Sequence, residues 1–354
     1  MQTEKDRHDY DLTCWYLNQR RVFELVGAEA LKNELTWADS LGDNQSRHNA
    51  KLSIYKDALT NWLDQNQPPT LGRLIISKKV KEGSLFTHYT NYFCRGLGKV
   101  HDAIRQHKAI PMAEAYAKLD DLEQGWRVTC RFSHEHLTSN SSWSELSGQK
   151  RLLVLGLVTS IRNGVIEAIP YVIANPMPGL MKASPLGAHW QSRLEVFIDS
   201  IESFERVQKV QPRRTKGDLN ALRKIPEREI KAAFAEIIGE QAVPKDWGGE
   251  RSDLTTTRLK LDGQRVSTAF LFKGPAVFEP LTPAKLGKNG DQIDRLFSEP
   301  ADFLILQHCH EITMSVRGQM RAYAQQFGNL RRFCLIDGYD TVRLLRAYRK
   351  CGFK

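Results

Sequence analysis

The sequence predicts an α/β protein of two domains, and three observations carry that prediction. From Pro226 onward, helical and strand-like segments follow the order α-β-β-α-β-α-β-α, which places a mixed sheet between layers of helices. Upstream, Asn163-Gly164 separates two β-rich runs in "LLVLGLVTSIRNGVIEAIPYVIA", and this dipeptide suits a type I′ hairpin because both central residues need positive φ. Between these regions, "QPRRTKGDLNALRKIP" (211–226) has no apolar period, two prolines and five basic residues against one acid. The expected division is an N-terminal α+β domain with a β-hairpin over 1–210, a basic linker over 211–225 and an α/β domain over 226–354.

Apolar positions at helical spacing predict helices across 12–63, in "WYLNQRRVFELVGAEAL" and "LSIYKDALTNWL". "LGRLII" (71–76) reads as a short strand, and "THYTNYFCRGLGKVHDAIRQH" and "PMAEAYAKLDDLEQ" read as helices. "GWRVTCRFS" alternates as a strand does. Trp190, Leu194, Phe197, Ile198, Ile201 and Phe204 mark one face of a long amphipathic helix over 190–210. In the C-terminal third, Ile230, Phe234 and Ile238 form the inward stripe of a helix that opens near Pro226. Strands over 254–261 and 266–272 are joined by "DGQ", with a short helix over 292–298. "DFLILQHC" and "RFCLID" are apolar enough for central strands covered on both faces. Ile312, Val316, Tyr323 and Phe327 mark one helix, and "DTVRLLRAYRK" the last.

The chain has 354 residues, 41% of them hydrophobic and 26% charged, which is ordinary for a globular protein of this length. Its formal net charge of +10 is not ordinary. It favours an anionic partner, nucleic acid ahead of an acidic membrane surface. Six cysteines lie scattered without a CxxC pair. The polar start "MQTEKDRHDYDL" is unlike a signal peptide, and no apolar run approaches the roughly 20 residues that span a bilayer. Reduced thiols in a cytoplasm are the expectation, with Cys130 and Cys334 as packed thiols inside strands.

The chemistry concentrates in "GERSDLTTTRLKLDGQRVSTAFLFKG" (249–274). If the two strands pair across "DGQ", Asp253 lands near Lys273 at a sheet opening. An acid beside a lysine can hold a hard divalent ion and a water while the ammonium stabilises phosphate charge. Magnesium keeps several waters, so one or two carboxylates and a main-chain carbonyl suffice.

With these residues in view, the C-terminal third resembles the PD-(D/E)XK nuclease superfamily, in particular Mrr-like restriction endonuclease domains. Asp253 matches the first acid of that pattern, Lys273 in "FLFKG" its lysine and Gln292 in "NGDQIDRL" its helix glutamine. "FCLIDGYDTVRLLRAY" is similar to the strand and helix that close such domains. The resemblance implies a restriction-endonuclease-like mixed sheet flanked by helices, Mg²⁺ or Mn²⁺ as cofactor, and DNA hydrolysis in restriction or defence against foreign DNA. The departure is Leu271, which stands where the second acid belongs. Asp291 is the foremost replacement, with Glu279 and Glu250 behind it and Glu227 or Glu229 on the first helix as further donors. The implied metal ligands are Asp253, Asp291 and Glu250, with Lys273 stabilising the transition state and Gln292 orienting water.

"HCH" (308–310) and "SHEH" (133–136) contain paired histidines but no complementary ligand pair, whereas structural zinc needs four ligands. Arg213, Arg214 and Lys216 in the basic run, and Lys78 and Lys79 beside Phe86, Tyr89, Tyr92 and Phe93, are candidates for phosphate contact. The aromatics themselves fit a core. The expected function is a metal-dependent DNA endonuclease whose N-terminal domain recognises the target or a protein partner. The alternative is an inactive nuclease-fold subunit that binds DNA or serves as an adaptor. RNA as substrate and an oligomeric assembly stay open.

Overall fold

The computed structural model describes residues 10–27, 29, 31–120, 122–178, 194–241, 251–287, 291–326 and 329–353. The chain forms two compact units, Met1–Ser192 with Gln325–Leu330, and Arg193–Ala324 with Arg331–Lys354. Both combine helices with sheets, as an α/β chain should. Among the described residues no helix is long and apolar enough to cross a membrane.

In the first unit β1 (Tyr10–Leu17) precedes α1 (Gln19–Val26), α2 (Lys32–Asp39), α3 (Asn44–Asn66) and α4 (Leu71–Ile76). Then follow β2 (Leu85–Arg95), α5 (Leu97–Arg105), β3 (Ala113–Lys118), β4 (Arg127–Phe132), α6 (Ser142–Glu145), β5 (Gly148–Arg162) and β6 (Val165–Pro178). Pairings run β5 to β2, β3, β4 and β6, and β6 returns to β5, so five strands close into a barrel. The β4–β6 pair is parallel and the others antiparallel, while β1 extends the free stretch of β6. The β5–β6 turn is the predicted hairpin, with Asn163 at φ 49° and Gly164 at φ 74°.

Several expected elements change type here. "LGRLII" is α4, because the Thr70 hydroxyl caps its first turn by accepting from Arg73 N–H and Leu71 and Ile75 fall on one buried face. The stretch around Phe86, Tyr89 and Tyr92 is strand β2, not helix. Phe86 and Tyr92 point into the barrel core, while Tyr89 packs outward beneath α1–α3. With both faces buried, the period-2 signal disappears and a helical spacing appears by coincidence. "AEAYAK" is β3; its alanines at 113, 115 and 117 fill a tight barrel interior that overrides their helix propensity. β1 also occupies residues expected to be helical.

The second unit opens with a strand-like contact, Val196 N–H to Phe333 C=O at 2.7 Å and Phe333 N–H to Leu194 C=O at 3.0 Å. Two 3-10 stretches follow, Ile198–Ser200 and Glu202–Lys209. The long helix expected over 190–210 is therefore absent among the described residues, and Trp190 lies outside them. Nor is 211–225 a linker: α7 (Lys216–Leu222) is capped by Thr215, buries Leu219 and Leu222, and pairs Asp218 with Arg346 at 2.5 Å. Lys216 on this helix and Arg213, Arg214, Arg223 and Lys224 on either side of it are all exposed, which is why composition alone read the run as unstructured.

Then come α8 (Glu227–Ile238), β7 (Leu254–Thr256), β8 (Lys260–Leu261), β9 (Gln264–Arg265), β10 (Thr268–Lys273), α9 (Gln292–Phe297), β11 (Phe303–His308), α10 (Met314–Ala324), β12 (Arg332–Ile336) and α11 (Gly338–Ala347). The main sheet runs β12-β11-β10-β7, parallel except for β7. One face, with Phe270, Phe272, Ile305 and Cys334, packs with α8 and α11; α9 packs on β10 and α10 on β12. The predicted hairpin is interrupted by a one-residue shift. Thr256 pairs with Thr268, whereas Lys260 pairs with Arg265 around a turn at Asp262-Gly263 with φ 54° and 77°.

Arg343 of α11 ties this unit together. Its guanidinium binds Asp199 through two nitrogens and donates to Val210 C=O at 2.8 Å and Val207 C=O at 3.2 Å. Arg343 is buried while Asp199 is half-exposed, so removing the arginine strands two carbonyls that water reaches poorly. Arg343→Ala is expected to cost about 3 kcal/mol and Asp199→Ala about 1 kcal/mol in urea unfolding of the full chain. Equal losses would contradict this account.

Candidate active site

The site is built on the edge of β10. One edge of this strand pairs with β11 along its whole length, from Thr268↔Phe303 to Lys273↔His308. The other edge meets β7 only over Thr268–Phe270. The N–H groups of Phe272 and Gly274 therefore extend past the end of β7, where a backbone donor needs another acceptor. Two carboxylates supply it. Asp253, whose own N–H donates to Phe270 C=O at 2.8 Å, accepts from Phe272 N–H through Oδ2 at 2.5 Å. Glu227, in the first turn of α8, accepts from Gly274 N–H through Oε2 at 2.5 Å. A helix N-terminus favours such a negative charge.

Gly274 is dictated by this contact. A Cβ there would lie 2.5 Å from Glu227 Cβ and 2.8 Å from its Oε2. Pro275 follows, lacks an N–H, and ends the strand. Lys273 sits between the two bound amides, on the face it shares with Leu271.

The electrostatics are those of a crowded, half-buried cluster. Burial pushes the Asp253 carboxyl above its ordinary range. The Phe272 N–H pulls it down, Glu227 pushes it up, and Lys231 and Lys273 pull it down. Burial pushes the Lys273 ammonium below its ordinary value; Glu227 and Asp253 pull it back, and Arg295 opposes them. Lys231 is buried one turn after Glu227 on the same helix.

Of the acids the sequence suggested beside Asp253, Glu227 on the first helix is the one the fold brings next to Asp253 and Lys273. Glu229 is exposed, and its carbonyl faces Cys351. Asp291 precedes α9 and pairs with Arg295 at 3.4 Å, so it approaches the cluster through that arginine. Glu279 is exposed and paired with Lys285 at 2.8 Å. Glu250 lies outside the described residues. Gln292 begins α9, and its buried Oε1 has no hydrogen-bond partner among the described residues. Lys231 and Arg295 were not singled out from sequence. The only signal for Lys231 was its spacing of four from Glu227; nothing local marked Arg295.

The histidine pair does not form a ligand set. His308 is buried with Nδ1 3.1 Å from Lys273 C=O and Nε2 3.0 Å from Glu279 C=O, while His310 Nδ1 accepts from Glu311 N–H. In the first unit His134 and His136 lie in a 3-10 turn. Burial pushes the Cys130 and Cys334 thiols up, as in inert packed cysteines. Arg214 is held over the Tyr339 ring at 5.4 Å and lies 3.9 Å from Asp337, while Arg213 and Lys216 are exposed. Lys78 and Lys79 are exposed in the turn after α4, in the other unit.

Each of Glu227 and Asp253 has one oxygen bound to a backbone N–H and a second oxygen with no hydrogen bond among the described residues. Among the described residues no three His, Cys, Asp or Glu side chains converge. A pair of carboxylates suits Mg²⁺ or Mn²⁺, which retain waters, and does not suit a four-ligand zinc site. Comparison with protein-family models, curated proteins and solved structures finds no match for the chain.

Glu227 raises the pKa of both its neighbours, by repelling the Asp253 carboxylate and attracting the Lys273 ammonium. Glu227→Gln is expected to lower both values, read by NMR titration of the Asp253 carboxyl carbon and the Lys273 side chain; a rise in either overturns the geometry. Lys273 also costs stability. Its folded pKa is below its unfolded value of 10.5, so the unfolded state binds more protons and stability rises with pH toward that value. Lys273→Met is expected to gain about 1 kcal/mol near neutral pH and to flatten this slope.

Proposed function

We propose that the second unit is a metal-dependent DNA endonuclease of the PD-(D/E)XK type, with Glu227 in the role that Leu271 cannot fill. One observation carries the reading: Asp253 and Glu227 bind the two amides that flank Lys273 on a single strand edge. Side chains anchored to a strand backbone are held in place before substrate arrives. Their remaining oxygens would hold Mg²⁺ or Mn²⁺, which when bound supplies a Lewis acid and an acidified water.

The chain's own residues do the rest. Lys273 carries its positive charge in a site that excludes much of the water, where it stabilises the charge that grows on a phosphoryl oxygen. Arg295 adds a second cation for the same phosphate or its neighbour. Gln292 keeps a buried amide acceptor without a partner among the described residues, available to orient water. Lys231, buried beside them, pulls the Asp253 carboxyl down against the push from Glu227. A role in restriction or defence follows only from the family resemblance.

The second reading, a DNA-binding subunit without cleavage, is favoured by the apolar, buried Leu271 and by a cluster with two acids among the described residues. Plasmid cutting in Mg²⁺ or Mn²⁺ separates the two. Asp253→Asn, Glu227→Gln and Lys273→Ala are each expected to reduce cutting by about 100-fold or more, and Asp291→Ala by far less. Binding without cutting in either metal would establish the inactive reading. Cutting that survives both acid substitutions would refute the site.

A further inference from the structure

The barrel of the first unit has two unlike outer faces. Over β1, β5 and β6 the outward residues are apolar, such as Leu153, Leu155 and Val172, and α1–α3 pack against them. Over β3 and β4 the outward residues are polar. The alanines of β3 point inward while Glu114, Tyr116 and Lys118 point out; on β4, Val128, Cys130 and Phe132 point inward while Arg127, Thr129 and Arg131 point out. This face is not an apolar surface waiting for a helix.

Strand register arranges the outward residues in rows. Arg95, Glu114 and Arg131 lie side by side, and Lys118 and Arg127 lie beside the β5–β6 turn that carries Arg162. The rows line two adjoining concavities of ≈ 320 and ≈ 550 Å³ that share Arg127, Arg131 and Glu167. Five basic residues face two acids there. Both acids are occupied, Glu114 by Arg95 at 2.5 Å and Glu167 by Arg131 at 3.6 Å. Lys118, Arg127 and Arg162 have no acidic partner among the described residues, so the groove keeps three unneutralised positive charges.

Flat surfaces border these charges. The Phe93 ring is 42% exposed and lies 5.4 Å from Tyr116, and the Arg95 guanidinium covers Tyr116 at 5.2 Å. An aromatic ring and a guanidinium plane are the surfaces on which unpaired bases stack, and positive charge beside them tracks the sugar-phosphate chain. A duplex keeps its bases stacked on each other and gains nothing from such a platform.

We propose that this groove binds single-stranded DNA, with bases on Phe93 and Arg95 and phosphates on Lys118, Arg127 and Arg162. The groove stands apart from the nuclease reading of the second unit; only the choice of DNA over RNA rests on it. The test is fluorescence anisotropy of the full chain with an oligothymidylate of about 20 nucleotides, in EDTA so that no cutting intervenes. The combined Lys118→Ala, Arg127→Ala and Arg162→Ala variant should bind about tenfold or more weakly, and its salt slope should fall by about two. Phe93→Ala should weaken binding about fivefold or more and leave the slope unchanged. All four side chains are exposed, and unchanged thermal melting verifies that the variants fold. Wild-type affinity and slope in the combined variant would overturn the proposal, as would tighter binding of the matching duplex or of oligouridylate. Cutting without groove-dependent binding refutes the groove alone; groove-dependent binding without cutting refutes the nuclease alone.

Discussion

The second unit depends on a mismatch of strand lengths. β10 continues past the end of β7, and the two amides left on its edge must find acceptors. Carboxylates from two other elements fill that need, Asp253 from the approach to β7 and Glu227 from the first turn of α8. A requirement of backbone hydrogen bonding thereby positions two acids on either side of Lys273. Gly274 is a glycine because the Glu227 side chain occupies the space of a Cβ.

This arrangement works against stability locally. Burial disfavours the charge on both Asp253 and Lys273, and each charge only partly relieves the other. The surrounding fold compensates through unambiguous packing. The opposite face of β10 buries Phe270 and Phe272 in stacked contact, with Phe234 of α8 set edge-on against both. Arg343 binds the turns over 199–210 to α11. A charged strand end is thus carried by a well-packed strand, which supplies the packing that the buried charges cannot.

The first unit solves a different problem. Closing five strands leaves no room for large residues on every inward position, so β3 turns alanines inward and keeps its long polar side chains outside. Where helices cover the barrel, the outward residues are apolar; where none does, they are arginine, lysine and tyrosine. The basic character of the chain therefore gathers on one barrel face, in addition to the run at 211–225 that composition made conspicuous.

By itself the sequence determined the α/β alternation after Pro226, the Asn163-Gly164 hairpin and the proximity of Asp253 to Lys273. These rest on local rules: turn residues with positive φ, apolar strands, and the alternation of side chains along one strand. It misjudged β2 and β3 because strands buried on both faces, or lined with alanine, lose the period-2 pattern. It could not choose among Glu227, Glu229, Asp291, Glu279 and Glu250, since their separations along the chain say nothing about which reaches the β10 edge. Only the tertiary structure decided that Glu227 does, because α8 crosses β10 where Gly274 N–H lacks a strand partner. The same holds for the groove, whose basic residues come from β2, β3, β4 and β5 and meet only through strand register.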